Sequence, residues 1–230
     1  LNELFEKEIA NKYKLDNKKV FESKKKKISE KLVKNSDGEK RLLKITKTPK
    51  LNEKGKVEYI VCFAEDITKN KKTEKIIKDL HEIALDFKKL ETENQIINMT
   101  LKVAENLLEF NLCNIIFVKG EKFVSVASSN EINHQTRPVS DKSVAAKTYN
   151  KEKSFIIDDL QNDSEALTVK NIYKSAISIP IGKYGVFQVA APEKSFFTEK
   201  DLELAEILIS YAIAALDRVY AQHKITEQKE

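Results

Sequence analysis

Three histidines, two cysteines and one adjacent aspartate pair are the side chains of this sequence with the widest chemical range. Their spacing decides what each can do. His81, His134 and His223 are far apart, Cys62 and Cys113 fall in different segments, and no CxxC, HExxH or GxSxG pattern occurs. Zinc ligation, dithiol redox chemistry and a hydrolase nucleophile therefore lack the residues they need, and no metal site is expected. The five glycines, at 38, 55, 120, 182 and 185, all fall in predicted turns, so none builds a glycine-rich cradle for nucleotide phosphates. Asp158-Asp159 follows a short apolar run and reads as a turn cap, because an aspartate bonds the backbone two residues on. His81-Glu82 on a helix has the outline of a phosphoacceptor, yet nothing in the sequence could hold ATP. A solvent-facing helix histidine is the expected reading.

The elements that would position these residues follow from periodicity. Helical stretches over Leu4 to Ala10 and Leu15 to Ser23 precede strands Ile28 to Lys34, Arg41 to Thr48 and Val57 to Glu65, joined by the turns Asn35-Ser36-Asp37-Gly38 and Asn52-Glu53-Lys54-Gly55. This predicts an antiparallel meander. Val57, Tyr59, Val61 and Phe63 alternate with their neighbours and predict an apolar sheet face in need of a partner layer. From Thr73 the period changes: Thr73, Ile76, Leu80, Ile83, Phe87 and Leu90 repeat at 3 and 4, a heptad stripe. A second apolar helix runs from Ile96 to Asn111. Further strands are predicted at Leu112 to Val118, Phe123 to Ser128, Phe155 to Ile157, Ser175 to Ile181 and Val186 to Ala191, with a short helix over Asp141 to Tyr149. The last helix opens at Thr198-Glu199-Lys200-Asp201, a threonine cap with acid in the first turn, and should run past Tyr220.

Composition narrows the class. With 230 residues, 41% hydrophobic and 33% charged, the chain is a globular protein with room for two domains. The longest nearly apolar run, Leu204 to Leu216, is shorter than the roughly 20 residues a bilayer span needs. Residues 1 to 75 carry 22 Lys+Arg against 13 Asp+Glu, a net +9, and the remainder carries 19 against 23, a net −4. The run Lys24 to Lys27 could meet phosphates, but the chain has three arginines and no aromatics within that run. A solvated face is expected and nucleic acid is not. The start at Leu1 and the absence of a leader fit part of a longer protein, and two isolated cysteines fit a reducing, cytoplasmic setting.

Two resemblances gather these elements into an α+β fold of two antiparallel-sheet domains. Residues 3 to 68 resemble the later part of a PAS domain, through Lys19-Val20-Phe21-Glu22-Ser23, Asp37-Gly38-Glu39-Lys40-Arg41, Thr46-Lys47-Thr48-Pro49, Gly55-Lys56-Val57 and Asp66-Ile67-Thr68. The opening PAS strands are missing, and Lys69 stands where family members commonly carry Glu. Residues 76 to 222 resemble a GAF domain, through Leu80-His81-Glu82-Ile83-Ala84, Ile156-Ile157-Asp158-Asp159, Ser175-Ala176-Ile177-Ser178-Ile179-Pro180-Ile181, Tyr184-Gly185-Val186 and Phe197-Thr198-Glu199-Lys200-Asp201-Leu202-Glu203-Leu204-Ala205. The expected organisation is a partial PAS domain over 1–68, a helical connector over 69–92, a GAF domain over 76–222 and a helix end or tail over 223–230.

The resemblance implies a six-stranded sheet with a small-molecule pocket on one face and helices on the other. The family's methionine sulfoxide reductase uses several cysteines, and Cys113 is the single one in this domain. Cyclic-nucleotide binders pair Asn-Lys with Phe-x-x-x-Asp-Glu; Asn150-Lys151 and Phe197 with Asp201 match, but Leu202 replaces the Glu. Bilin attachment would need a Cys-His pair, whereas Asn114 follows Cys113, and haem would need His134 as axial ligand; neither cofactor is expected. Phe117, Ser125, Ser128, Phe155, Tyr173, Ser175 and Ser178 are the pocket candidates, apolar walls with a few polar groups. Ile76, Leu80, Ile83, Phe87, Leu202, Ile209 and Leu216 are candidates for the seam of a parallel homodimer. The resemblance thus implies a non-catalytic PAS-GAF sensing module that binds an unidentified small molecule and relays to an output domain beyond Glu230. The parent protein would be a sensor histidine kinase or, alternatively, a transcriptional regulator with a DNA-binding output.

Overall fold

A computed structural model describes residues 7–34, 37–129, 136–164 and 172–228, with side chains from Tyr13 onward. His134 lies outside the described residues, as do Leu4 to Glu6 and the Asn35-Ser36 half of the first turn. The chain forms two compact units, Leu1–Lys75 and Ile76–Glu230.

In the first unit, α1 (Lys7–Ser23) precedes the strands β1 (Lys27–Lys34), β2 (Lys40–Leu51) and β3 (Val57–Asp66), which pair antiparallel in the order β1-β2-β3. The expected meander is present. The two short helices expected before it are a single helix as far as it is described, because Asn11 to Lys14 hold neither Pro nor Gly to interrupt one. At the second turn the Asn52 side-chain oxygen accepts the backbone N–H groups of Lys54 and Lys56, and Gly55 takes a φ of +69° that favours glycine. Helix α1 covers one sheet face, burying Val20 and Ile45. The opposite face carries the predicted apolar alternation uncovered: Ile28, Leu32, Tyr59, Val61 and Phe63 are all exposed, Phe63 to 62%.

The second unit is built on six antiparallel strands: β4 (Cys113–Lys119), β5 (Lys122–Ser128), β6 (Arg137–Pro138), β7 (Phe155–Ile157), β8 (Ser175–Pro180) and β9 (Gly185–Ala191), in the order β6-β5-β4-β9-β8-β7. The two-residue β6 has no sequence period and was not predicted. Helices α2 (Thr68–Phe87), α3 (Glu93–Asn106) and α5 (Glu199–Glu227) supply the main core with one sheet face, and the short α4 (Val144–Lys151) lies on the other. Local chemistry sets their ends. Thr92 and Gln95 form a reciprocal capping box at α3, and Thr198 and Asp201 form another at α5. Helix α2 stops where the Arg218 guanidinium, reaching from α5, donates to the carbonyls of Phe87 and Leu90.

The residues of the expected dimer seam divide between the core and its margin. Leu80, Phe87, Ile209 and Leu216 are buried in the core of a single chain, between helices and sheet, and Ile76, Ile83 and Leu202 pack partly buried against that core. A 3-4 spacing marks one apolar helical stripe, and a stripe can be covered within its own chain as well as by a second one.

Candidate functional site

The sheet face beneath α4 collects polar side chains along one row. In register, Phe155 on β7 stands beside Ser178 on β8, Ser178 beside Gln188 on β9, Gln188 beside Asn114 on β4, and Asn114 beside Ser128 on β5. Directly paired residues of antiparallel strands point to the same face, so all five belong to one surface. Helix α4 starts at Ser143, whose hydroxyl accepts the Ala146 N–H, and packs over β8 and β9. The position of α4 brings Thr148 onto the row. The Thr148 hydroxyl bonds Ser178 Oγ at 2.8 Å, and Gln188 Nε2 donates to the same oxygen at 3.2 Å.

Thr148 and Ser178 are both fully buried. Whichever of these two hydroxyls donates to the other, the proton of the second has no acceptor among the described residues. A buried hydroxyl without its hydrogen bond costs about 1–3 kcal/mol, which an acceptor placed there would offset. Nearby, Ser125 donates to Asn114 Oδ1 at 2.6 Å, and Lys147 Nζ lies 5.0 Å from the centre of the Phe155 ring. Apolar walls flank the row: Phe123, Ala145, Ala146 and Val186 on one side; Val144, Ile157, Leu160 and Ala176, with Tyr173 against them, on the other. Hydroxyls, amides and apolar walls of this kind offer hydrogen bonds and apolar contact, and no ionised group of the row takes part. Among the described residues, none of them forms a His, Cys, Asp and Glu cluster suited to a metal ion.

Of the seven pocket candidates, Ser125, Ser128, Phe155 and Ser178 share the α4 face, and Tyr173 packs at its margin. Phe117 and Ser175 do not. Phe117 is buried in the helix-side core near Tyr184, and Ser175 points to that same side, its hydroxyl donating to the Glu193 carbonyl at 2.7 Å. Alternation separates them from the site: Phe117 is three residues from Asn114 and Ser175 three from Ser178, an odd number in each case. Ser128 also donates to the Cys113 carbonyl. Sequence reasoning missed Thr148, Gln188 and Asn114. The signal for two of them was available, since Gln188 and Asn114 are lone amides within otherwise apolar strands.

The other chemically capable residues have structural duties. His81 is exposed, its Nδ1 2.9 Å from the Ile77 carbonyl and its ring edge-on to Tyr211. Asp159 caps its turn, accepting from the Gln161 N–H, Asn162 Nδ2 and Lys194 Nζ, and the ammonium beside it holds its carboxyl below the usual range. Asn150 and Lys151 are exposed at the end of α4, Phe197 is buried edge-on against Phe110, and Asp201 is committed to the α5 cap. Burial pushes the Cys113 thiol up to about 12, while Cys62 is exposed. A thiol reacts as its thiolate. At pH 8 a maleimide should therefore label one cysteine per folded chain, Cys62, and the second only in denaturant, as read by intact mass; two labels on the folded chain would contradict the burial of Cys113.

No curated protein matches this chain. Among solved structures, the chain is similar to the GAF domain of a phosphoenolpyruvate-protein phosphotransferase from Coxiella burnetii, with TM-score 0.57 and 14% identity over 66% of this chain and 98% of that one. It is also similar to the free methionine-R-sulfoxide reductase of Neisseria meningitidis in complex with its substrate, with TM-score 0.53 and 16% identity over 64% and 94%. The GAF domain of a two-component sensor histidine kinase from Bacillus halodurans gives TM-score 0.50 and 16% identity over 58% and 99%. At these identities the likeness concerns the fold. The family model for the GAF domain matches residues 91–217, from the cap of α3 into α5 and across the whole six-stranded sheet. That match spans more than half of the sequence, and the chain belongs to the GAF domain family.

Proposed function

We infer that this chain is a sensory input module in which the sheet face beneath α4 binds a small molecule and the long helices carry the response. The observation that carries this reading is the fully buried Thr148-Ser178 hydroxyl pair, joined by Gln188, with one proton left for an outside acceptor. The guest it fits is small, presents a hydrogen-bond acceptor to Ser178 and lays apolar surface against Phe155, Ile157 and Val186. We read the module as non-catalytic: its row is built from hydroxyls and amides, and the one cysteine of the GAF region is a buried, protonated thiol.

The finer organisation belongs to the same reading. Residues 1–68 form the later part of a PAS domain, 69–92 a helical connector, 76–222 the GAF domain and 223–230 the end of the last helix. Supporting this are the PAS-like motifs and the three-stranded meander with one helix across it. The parent is a cytoplasmic signalling protein, a sensor histidine kinase above others, whose output domain follows Glu230 and which acts as a homodimer. Its dimer contact would fall on exposed apolar positions such as Leu85, Tyr220 and Ile225 and not on the buried stripe. A ligand moves such a device only by binding its two packings unequally.

Native mass spectrometry of the purified chain tests the binding claim. The expected spectrum shows the 26.4 kDa chain with an added small mass that is lost in Ser178→Val while circular dichroism stays unchanged. If the chain carries no guest and a mixture of metabolites leaves the amide resonances of Thr148, Ser178 and Gln188 unmoved, the reading fails.

A further inference from the structure

We propose that the sheet face beneath α1 in the first unit binds a small dianion, a dicarboxylate or a phosphate, through Lys27, Lys31 and Lys47. These three ammonium groups project from one face. Lys27 and Lys47 are direct partners in the β1-β2 register, and Lys31 follows Lys27 by four residues along β1. Among the described side chains a single carboxylate stands against them, Asp16 of α1, which accepts from Lys27 at 2.7 Å and from Lys31 at 2.5 Å. Those two bonds hold the Asp16 carboxyl down at about 2, so it is ionised and fully engaged.

Among the described residues Lys47 has no counter-ion of its own. It is 4% exposed, and its Nζ has one hydrogen-bond acceptor among the described residues, the neutral amide oxygen of Asn17 at 2.6 Å. The Tyr13 ring lies 4.5 Å from Lys31 Nζ and 5.4 Å from Lys47 Nζ, a weaker cation-π partner. Burial pushes the Lys47 ammonium below its ordinary value. A buried cation needs an anion or a full set of acceptors, and among the described residues this one has only Asn17 in contact and the shared Asp16 at a distance. Among the described side chains, three ammonium groups against Asp16 leave an excess of two positive charges, which one dianion would neutralise.

Cys62 pairs with Lys47 and Ala64 with Ile45, and both β3 residues are exposed, so the face is open from that side. Lys27 and Lys31 are themselves partly exposed, at 33% and 26% of their side chains. Of the other acids on this face, Asp66 is paired with Arg41, and Glu58 is four residues along β3 from Cys62, about 13 Å away. Phosphate and dicarboxylate oxygens both accept from ammonium groups in this way.

Isothermal titration of the 230-residue chain with malonate and with inorganic phosphate, at fixed ionic strength and with acetate as the monoanion, tests the site. One dianion should bind per chain, saturably, with acetate at least about ten-fold weaker. Lys31→Gln should weaken the dianion by about ten-fold or more. Lys47→Met should abolish binding and at the same time raise the melting temperature of the anion-free chain, because an uncompensated buried charge has gone. General damage to the fold would lower both. Should Lys47→Met fail to fold, the part-exposed Lys27→Gln and Lys31→Gln decide. Binding of malonate alone names a carboxylate ligand and of phosphate alone a phosphate. The proposal is overturned if the folded chain binds neither saturably, if acetate binds as tightly, or if Lys31→Gln changes nothing.

Discussion

Gly185→Ala is expected to remove a large part of the stability of the second unit. Gly185 begins β9 opposite Phe117 of β4, with φ +154° and ψ −139°, a region open essentially to glycine. A Cβ added there would sit 1.9 Å from the Ile116 carbonyl oxygen and 2.8 Å from the Phe117 Cα. Both atoms are backbone at the centre of the sheet, so no side chain can swing aside, and the β4-β9 pairing must open locally. Backbone strain and overpacking together cost about 4 kcal/mol or more, against about 5–15 kcal/mol for a whole domain. The melting temperature should fall by about 10 °C or more. Gly120→Ala is the control: its φ is +62° but nothing lies within 4 Å of the new Cβ, so about 1–2 kcal/mol is expected from conformation alone. Thermal unfolding followed at 222 nm compares them, and equal small losses would show that the β4-β9 contact yields easily.

Ile209→Glu should unfold the second unit and not split a dimer. Ile209 is 1% exposed on α5 and shares its core with Leu80 of α2 and with Leu216, about two turns along the same helix. A glutamate there loses the apolar contacts and must either bury a charge or take up a proton against its solution preference. Either course costs more than about 4 kcal/mol. Leu80→Glu should behave alike, since Leu80 is fully buried. On α2 the outward position is Leu85, 58% exposed, and Leu85→Glu should leave the fold of the single chain intact, its effect confined to the proposed dimer contact. Size-exclusion chromatography with light scattering, read beside circular dichroism, separates the two accounts. A folded Ile209→Glu chain at half the parent mass would restore these residues to an intersubunit seam.

Both results bear on how far a linear pattern reaches. The strands β1 to β5 and β7 to β9, the alternation in β3, the cap at Thr198 and the run of α5 past Tyr220 were legible because each depends on residues close in sequence, whereas the Thr92 cap was read only as a break in the stripe. The order of motifs from Leu80 to Ala205 likewise resembles the GAF fold, because it lies in the sequence itself. The same local reasoning divided α1 into two helices and missed β6, whose two residues acquire strand geometry only by lying beside Phe123 and Lys122.

What the tertiary structure alone decided is which surface each correctly placed element presents, and to what. Period two says that Phe117 and Asn114 point apart, but strand order and register determine which faces α4 and which the long helices; the β4-β5 register shift between Ile115 and Ile116 even lets Ser125 and Ser128, three apart, serve one face. Heptad spacing describes a stripe and is silent on its partner, so the packing of α3, α5 and the sheet, and not the stripe, placed Leu80, Phe87, Ile209 and Leu216 inside one chain. The Thr148-Ser178 bond joins residues 30 apart and the Lys47-Asn17 bond residues 30 apart. Contacts of that span depend on how whole elements dock, and no local pattern encodes the docking.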